Sequence, residues 1–322
     1  MFAVYAESFS SDDPLSGLRL GERPDPEPDS GWTTVQVKAA SLNHHDLWSL
    51  RGVGLKEEAL PMILGCDAAG LDEDGNEVVV HAVISDPSWT GDETLDPKRS
   101  LLSERYQGTL ADKVVVPRRN VVPKPASLSF EEAACLPTAW LTAYRMLFTQ
   151  GGLKPGDSVL VQGAGGGVAT ALIALARAGG LRVFATSRDE TKRQRALELG
   201  AHEVVESGGR LPQRVDAVME TVGAATWSHS LKSLRQGGIV VISGATSGPN
   251  PERTELNRVF FLQLRVVGST MGTRAELGAL TELLDVSGVR PVIDRVLPME
   301  QAEDGFKAMA EGELFGKIVF TR

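Results

Sequence analysis

The chain has 322 residues, 42% of them hydrophobic and 23% charged, proportions that support a large buried core in one or two domains rather than a disordered or fibrous chain. A net charge of −9 leaves no basic face for nucleic acid or an anionic membrane, so neither is expected as a partner. Two cysteines (Cys66 and Cys135) are too few for a disulfide scaffold; the opening MFAVYAESFSSDDP has neither basic leader nor apolar core, and no apolar run is long enough to span a membrane, so a cytoplasmic setting is expected.

In chain order, Pro24-Asp25-Pro26-Glu27-Pro28 is a stiff, exposed turn before a first clear strand at Thr34–Lys38. Further strand-like runs at Glu77–Val83 and Lys113–Val116, set between turns, predict a compact strand-rich domain over residues 1–123. From Phe130 the pattern changes. Ala133, Ala134, Leu136, Leu141, Tyr144 and Leu147 predict a helix, and a β-branched strand follows at Val159–Val161. Strands then recur at Val183–Thr186, Glu203–Val205, Ala217–Met219, Ile239–Ser243 and Arg265–Gly268, with helices between them. That alternation implies an α/β domain over 124–269, a parallel sheet with helices on both faces. The tail supplies two more helices and a closing strand at Lys317–Phe320, so 270–322 is expected to complete the first domain.

The stretch from Ser158 to Ala201 carries the clearest chemistry. A strand meets a helix at a glycine turn, and a second strand follows, which is a βαβ unit. Gly163, Gly166 and Ala169 fit G-x-x-G-x-x-A, with a looser reading on Gly165 and Gly167. Glycines admit a pyrophosphate close to the backbone, and the helix N-terminus, from Gly167 and Val168, presents free N–H groups and a partial positive charge. The context makes this a dinucleotide site rather than a merely structural turn. An NAD site usually has a carboxylate at the tip of the second strand, about 20 residues on. Here Ser187 stands there, followed by Arg188, with Lys192 one turn later. A hydroxyl and two cations suit a 2′-phosphate, each charge-assisted bond contributing about 1.5–3 kcal/mol. NADPH is therefore the expected cofactor, although Asp189 can pair with either base. Gly244, Ala245 and Thr246 follow a strand and should pass near the cofactor at the carboxyl edge of the sheet.

The whole chain resembles the medium-chain dehydrogenase/reductase superfamily, on its quinone oxidoreductase and enoyl reductase branch. Ser41-Leu42-Asn43-His44-His45-Asp46-Leu47 resembles the family's active-site segment, and Gly65-Cys66-Asp67-Ala68-Ala69-Gly70 its glycine-rich strand turn. Leu136-Pro137-Thr138-Ala139-Trp140-Leu141-Thr142-Ala143-Tyr144 resembles the helix beneath the nicotinamide; Gly237-Gly238 and Gly316-Lys317-Ile318-Val319 also match. The resemblance implies a GroES-like, partly open β-barrel domain completed by the C-terminal segment, an inserted Rossmann domain with a doubly wound parallel sheet, a small-molecule substrate bound in the cleft, and a homodimer.

It also implies what is missing. Zinc alcohol dehydrogenases of this superfamily have Cys at Asn43, His at Cys66, Glu at Asp67 and Cys near Thr138, and the cysteine-rich lobe is absent from Ser85–Tyr106. Asn and Thr are poor zinc ligands, and catalytic zinc needs three protein ligands, so no metal is expected; a rearranged set from His44 or His45 with Cys66 and Asp67 is the alternative. Without a Lewis acid, reduction of an activated C=C (enone or enoyl) or quinone is the expected reaction. A biosynthetic reductase, even one that triggers ring closure, a zinc-independent ketone or alcohol dehydrogenase, and a non-catalytic NADPH-binding protein are the alternatives.

The catalytic candidates are Asn43, His44, His45 and Asp46. Asn43 can donate to a carbonyl, fix the nicotinamide ribose, or form a buried turn. Either histidine can protonate an enolate or serve a structural hydrogen bond. Asp46 orients a neighbour or caps a helix. Trp48, Tyr106 and Trp140 are candidates for the substrate wall, with core packing as the other reading of the tryptophans. Thr142 resembles the threonine that approaches the nicotinamide, and Lys317 is a candidate anchor for NADPH. The apolar run Asn257–Val267 ends in a strand that in family members pairs across a dimer axis.

Overall fold

Alternation from Thr33 to Lys38, followed by the fully buried Ala39, Ala40 and Ser41, builds the central strand of the first unit. In Trp32–Ser41, Thr33, Val35 and Val37 are buried while Thr34, Gln36 and Lys38 lie toward the surface, the period of a strand with one covered face. The computed structural model describes residues 1–322, and the chain forms two units, Met1–Leu141 with Met271–Arg322, and Thr142–Thr270.

In the first unit Trp32–Ser41 pairs antiparallel with Asp67–Leu71, Lys113–Pro117 and Lys317–Thr321. Glu77–Val80 and Val121–Pro123 extend this sheet on one side, and Ile293–Pro298 closes the other. A smaller sheet joins Leu18–Glu22, Phe2–Ala6 and Met62–Ile63. Leu42, Leu50, Leu64, Phe306 and Phe320 lie in the shared core, so the last strand and helix of the chain are built into the domain that its first residues begin. This is the GroES-like half.

The second unit is a six-stranded parallel sheet in the order Glu203–Val205, Arg182–Thr186, Ser158–Val161, Val215–Glu220, Leu234–Ile242, Arg265–Gly268. That is the doubly wound Rossmann order, with its switch point beside Ser158–Val161. Val159, Leu160 and Val161 are buried on both faces, which is why this strand reads as an unbroken apolar run.

Two sequence expectations need correction. The first unit extends to Leu141 rather than 123, because the short helix Phe130–Ala133 packs on Trp32–Ser41 and Asp67–Leu71. The single helix expected from Phe130 is four pieces, Phe130–Ala133, Leu136–Trp140, Leu141–Tyr144 and Arg145–Gln150, the second and fourth being π-helical. Pro137 has no N–H to give to a regular α-helical ladder, and wide turns of this kind concentrate at functional sites. No helix is long and apolar enough to cross a membrane.

Candidate active site and cofactor cradle

In the second unit, Ser158–Val161 delivers the chain into the glycine turn. Gly163 has φ +74°, and a Cβ there would lie 2.7 Å from Val222 Cγ2, so the position needs glycine for both conformation and space. Gly166 caps the helix Gly167–Ala178 in an ordinary extended conformation, and a Cβ built on it would meet nothing within 4 Å. What its missing side chain leaves open is the approach to the helix N-terminus. There the N–H groups of Gly167 and Val168 have no acceptor within the chain, as the first turn of a helix requires. An anion fits this place.

The turn walls a cavity of about 790 Å³ that also meets Ser187, Arg188, Lys192, Thr246 and Ser247. Arg188 is exposed and unpaired. Asp189 pairs with the backbone: its Oδ1 accepts from Lys192 N at 2.8 Å and caps the helix Glu190–Leu199. The side chain of Lys192 lies back over the glycine turn, where a Cβ on Gly165 would come within 2.8 Å of its Cδ and 3.6 Å of its Nζ. Gly244 and Ala245 do not line the cavity; Ala245 packs against Gly223, and Ser247 takes the place expected of them. Thr142 is buried in the Leu141–Tyr144 turn. Beneath the cavity floor, Glu220 is buried and accepts from Val222 N (2.8 Å), Gly223 N (3.0 Å) and the Thr226 and Ser230 hydroxyls, fixing the loop that carries Val222 and Thr226. Sequence reasoning passed over this residue because nothing marks a strand-end glutamate as buried.

The first unit holds a polar cluster in an otherwise apolar core. Lys317 Nζ donates to Leu42 O (2.8 Å), Asn43 Oδ1 (2.6 Å) and Asp67 Oδ2 (3.2 Å), and its side chain is only 2% exposed. An ammonium has three hydrogens, and all three are taken, so Lys317 does not anchor a cofactor as expected. Asn43 Nδ2 and Ser41 Oγ each donate to Asp67 Oδ2 at 2.8 Å, while Asp67 Oδ1 is buried without a partner. Both ends of the Asn43 amide are thereby held by the protein, which leaves Asn43 an organiser of this cluster. Asp46 is a pin rather than an acid: Asn43 N and Gly65 N each donate to it at 2.9 Å, and burial holds its carboxyl above the usual range.

His44 and His45 begin the helix His44–Leu50 rather than lie on a strand, and their environments differ. His45 is clamped: its Nε2 faces Glu104 Oε1 at 3.2 Å, and its Nδ1 faces Ser103 Oγ at 3.4 Å and Cys66 Sγ at 3.5 Å. Burial works against its imidazolium, but the Cys66 sulfur and Glu104 carboxylate outweigh this and hold its pKa well above the ordinary histidine value. Ser103 is buried with φ +64°, an uncommon conformation for a residue with a side chain, and Leu101 N pins the other Glu104 oxygen at 3.2 Å. Glu104 and Ser103 were missed in the sequence because the short turn that carries them, after the strand Ser100–Leu101, has no periodic pattern to read. His44 makes no hydrogen bond and its ring is open to solvent, yet desolvation, Lys317 and Arg51 all push it toward the neutral form.

The expected substrate residues have different surroundings. Trp140 is fully buried, Trp48 packs under the Arg51 guanidinium at 5.2 Å, and Tyr106 meets Trp32 with ring centroids 5.1 Å apart. Burial raises the pKa of both thiols, that of Cys135 to about 12, while the neighbouring His45 pulls that of Cys66 the other way.

Comparison with known proteins agrees with this anatomy. Residues 29–126 match the alcohol dehydrogenase GroES-like domain, and residues 167–285 match a family described as zinc-binding dehydrogenase. The acryloyl-coenzyme A reductase of Sulfurisphaera tokodaii is 27% identical, covering 95% of this chain and 97% of its own; the quinone oxidoreductase of Mus musculus is 28% identical, covering 89% and 88%. A crystal structure of an NAD-dependent alcohol dehydrogenase is 35% identical with a TM-score of 0.91 and full coverage of both chains. A 2-octenoyl-CoA carboxylase reductase in complex with NADP and 2-octenoyl-CoA is 26% identical with a TM-score of 0.90, covering 99% of this chain and 87% of its own. The zinc named in the second family does not fit the residues present. Nowhere do three His, Cys, Asp or Glu side chains gather in a ligating arrangement, and Lys317 and Asn43 occupy Asp67. A dinucleotide does fit the glycine cradle and its unpaired N–H groups. Fold, matched domains and full-length similarity together establish that the chain belongs to the medium-chain dehydrogenase/reductase superfamily.

Proposed function

We propose that this oxidoreductase uses NADPH to reduce an activated C=C, in an enone or enoyl thioester, or a quinone, without a catalytic metal. The observation that carries this reading is the Lys317–Asn43–Asp67 cluster. A fixed ammonium supplies the positive charge among residues that would otherwise have to be metal ligands; it and Asn43 Nδ2 both bond Asp67 Oδ2, and only the buried Oδ1 of that carboxylate is without a partner. Removing an alcohol's proton and stabilising its oxyanion without a Lewis acid is difficult, whereas an alkene conjugated to a carbonyl accepts hydride readily. The reduced nicotinamide, when bound, supplies hydride to the β carbon of the acceptor, whose π electrons move onto the carbonyl oxygen.

The protein's own contributions follow from where its side chains are held. Gly166 keeps the helix N-terminus open, where a pyrophosphate would be held, and Arg188 and Ser187 would hold the adenosine phosphate. His44 is the better proton source for the enolate carbon: both ring nitrogens of His45 already face protein groups, while the exposed His44, held toward its neutral form, takes its proton from water and as the imidazolium is the stronger acid. His45, with Glu104, keeps its part of the first unit rigid. The acryloyl-CoA reductase and octenoyl-CoA reductase relatives support enoyl thioesters as the acceptor class.

A homodimer completes the proposal. Arg265–Gly268 is an uncovered sheet edge with Val266 exposed, and the adjoining helix Leu256–Phe261 exposes Leu256, Phe260 and Phe261, an aggregation hazard unless a second copy covers it. The test of the activity is NADPH oxidation with enoyl-CoA, enone and quinone acceptors after exhaustive chelation. Turnover that survives chelation supports the reading; alcohol oxidation that needs added zinc overturns it.

A further inference from the structure

The tip of the second Rossmann strand lacks the carboxylate that usually selects NAD, but the next strand brings one to the same edge. Arg182–Thr186 and Glu203–Val205 run parallel, with Thr186 opposite Val205, and Ser187 N donates to Val205 O at 3.3 Å. The residues that leave the sheet next, Ser187 and Glu206, therefore emerge side by side at the spacing of neighbouring strands, about 4.8 Å. Both line the cavity that the glycine turn walls. Glu206 is exposed, and its carboxylate has no hydrogen bond or ion pair.

The other charges of this cavity are committed elsewhere. Asp189 caps its helix through Lys192 N, and the Lys192 side chain lies over Gly165, at the pyrophosphate end of the cradle. Arg193 donates to Ser187 O at 2.8 Å. What remains at the strand tip is one guanidinium, Arg188, opposed by one carboxylate, Glu206.

We propose that Glu206 is the cofactor-specificity residue of this site, accepting hydrogen bonds from the adenosine ribose hydroxyls of NADH and repelling the 2′-phosphate of NADPH, so that both cofactors bind. This rests on the nicotinamide reading above and adds to it the residue that limits the NADPH preference. A carboxylate and a phosphate carrying nearly two charges, about 5 Å apart in water, repel enough to change affinity roughly tenfold.

The test is direct binding, with no acceptor present. NADPH and NADH are titrated into wild type, Glu206→Gln, Glu206→Ala and Arg188→Ala by calorimetry, and each Kd(NADH)/Kd(NADPH) ratio is compared with wild type. The expected result is a rise of roughly tenfold in both Glu206 variants, by tighter NADPH and weaker NADH binding, and a fall in Arg188→Ala. Glu206 is on an exposed loop, so unchanged circular dichroism should accompany the shift. A ratio that stays within twofold of wild type in both Glu206 variants overturns the inference. Because the readout is relative, it holds whichever cofactor the wild type prefers, and a wild-type preference for NADH would count against the NADPH dependence alone.

Discussion

Replacing Lys317 by Met removes the only cation bonded to Asp67 while keeping most of the side-chain volume. Asp67 is fully buried, Lys317 is 2% exposed, and one carboxylate oxygen already lacks a partner. After the substitution the carboxylate would keep only Asn43 Nδ2 and Ser41 Oγ, and the Leu42 carbonyl and Asn43 Oδ1 would both lose their donor. Breaking a buried pair by removing one member costs about 3–5 kcal/mol, because the other charge stays buried and uncompensated. The double variant Lys317→Met/Asp67→Asn removes both charges and should recover about half of that loss. Urea unfolding followed by tryptophan fluorescence, to which Trp32, Trp48, Trp89 and Trp140 contribute from the first unit and Trp227 from the second, measures both. A loss below about 1 kcal/mol in Lys317→Met, or a double variant no more stable than the single one, would refute the reasoning.

Three further outcomes are expected. Gly166→Val places methyl groups where the chain has none within 4 Å, so it should weaken dinucleotide binding at least tenfold by calorimetry and leave the melting temperature within a few degrees; equal losses in both would be wrong for a position open only to ligand. His45 binds its proton more tightly folded than unfolded, so its stabilisation is complete below the unfolded value near 6.5 and disappears as pH rises through the folded value. Stability measured from pH 6 to 9 should therefore fall more in wild type than in Glu104→Gln, which keeps an acceptor but no charge; parallel profiles would remove Glu104 as the cause. Phe261→Glu should convert a dimer to monomer in light scattering, and a wild type that is already monomeric would dispose of the proposed edge pairing.

The second unit was largely legible because its physics is local. Buried parallel strands read as apolar runs, and the glycine turn must contain glycine where φ is positive, so Glu203–Val205 and Arg265–Gly268 could be bounded from the sequence to the residue. The strands Phe2–Ala6, Leu18–Glu22 and Ile293–Pro298 escaped notice. The first two pair across an intervening turn without a hairpin signal, and the third is paired on a single side by a strand 24 residues later, with mixed exposure. The polar cluster was half legible. Asn43, Asp46 and Lys317 stood out as residue types, but their mutual bonds depend on strands far apart in the chain meeting at Asp67, which no spacing rule encodes. The same holds for Glu206, which matters because of which strand neighbours it rather than how far it lies from the glycines.

Isotope tracing with metal-depleted enzyme is the sharpest test. With NADPH deuterated at the transferable position of the nicotinamide and an enoyl-CoA acceptor, the product should carry one deuterium at the β carbon, at a rate unaffected by added zinc. Deuterium on a carbinol carbon, or none until zinc is restored, would contradict a metal-free C=C reductase.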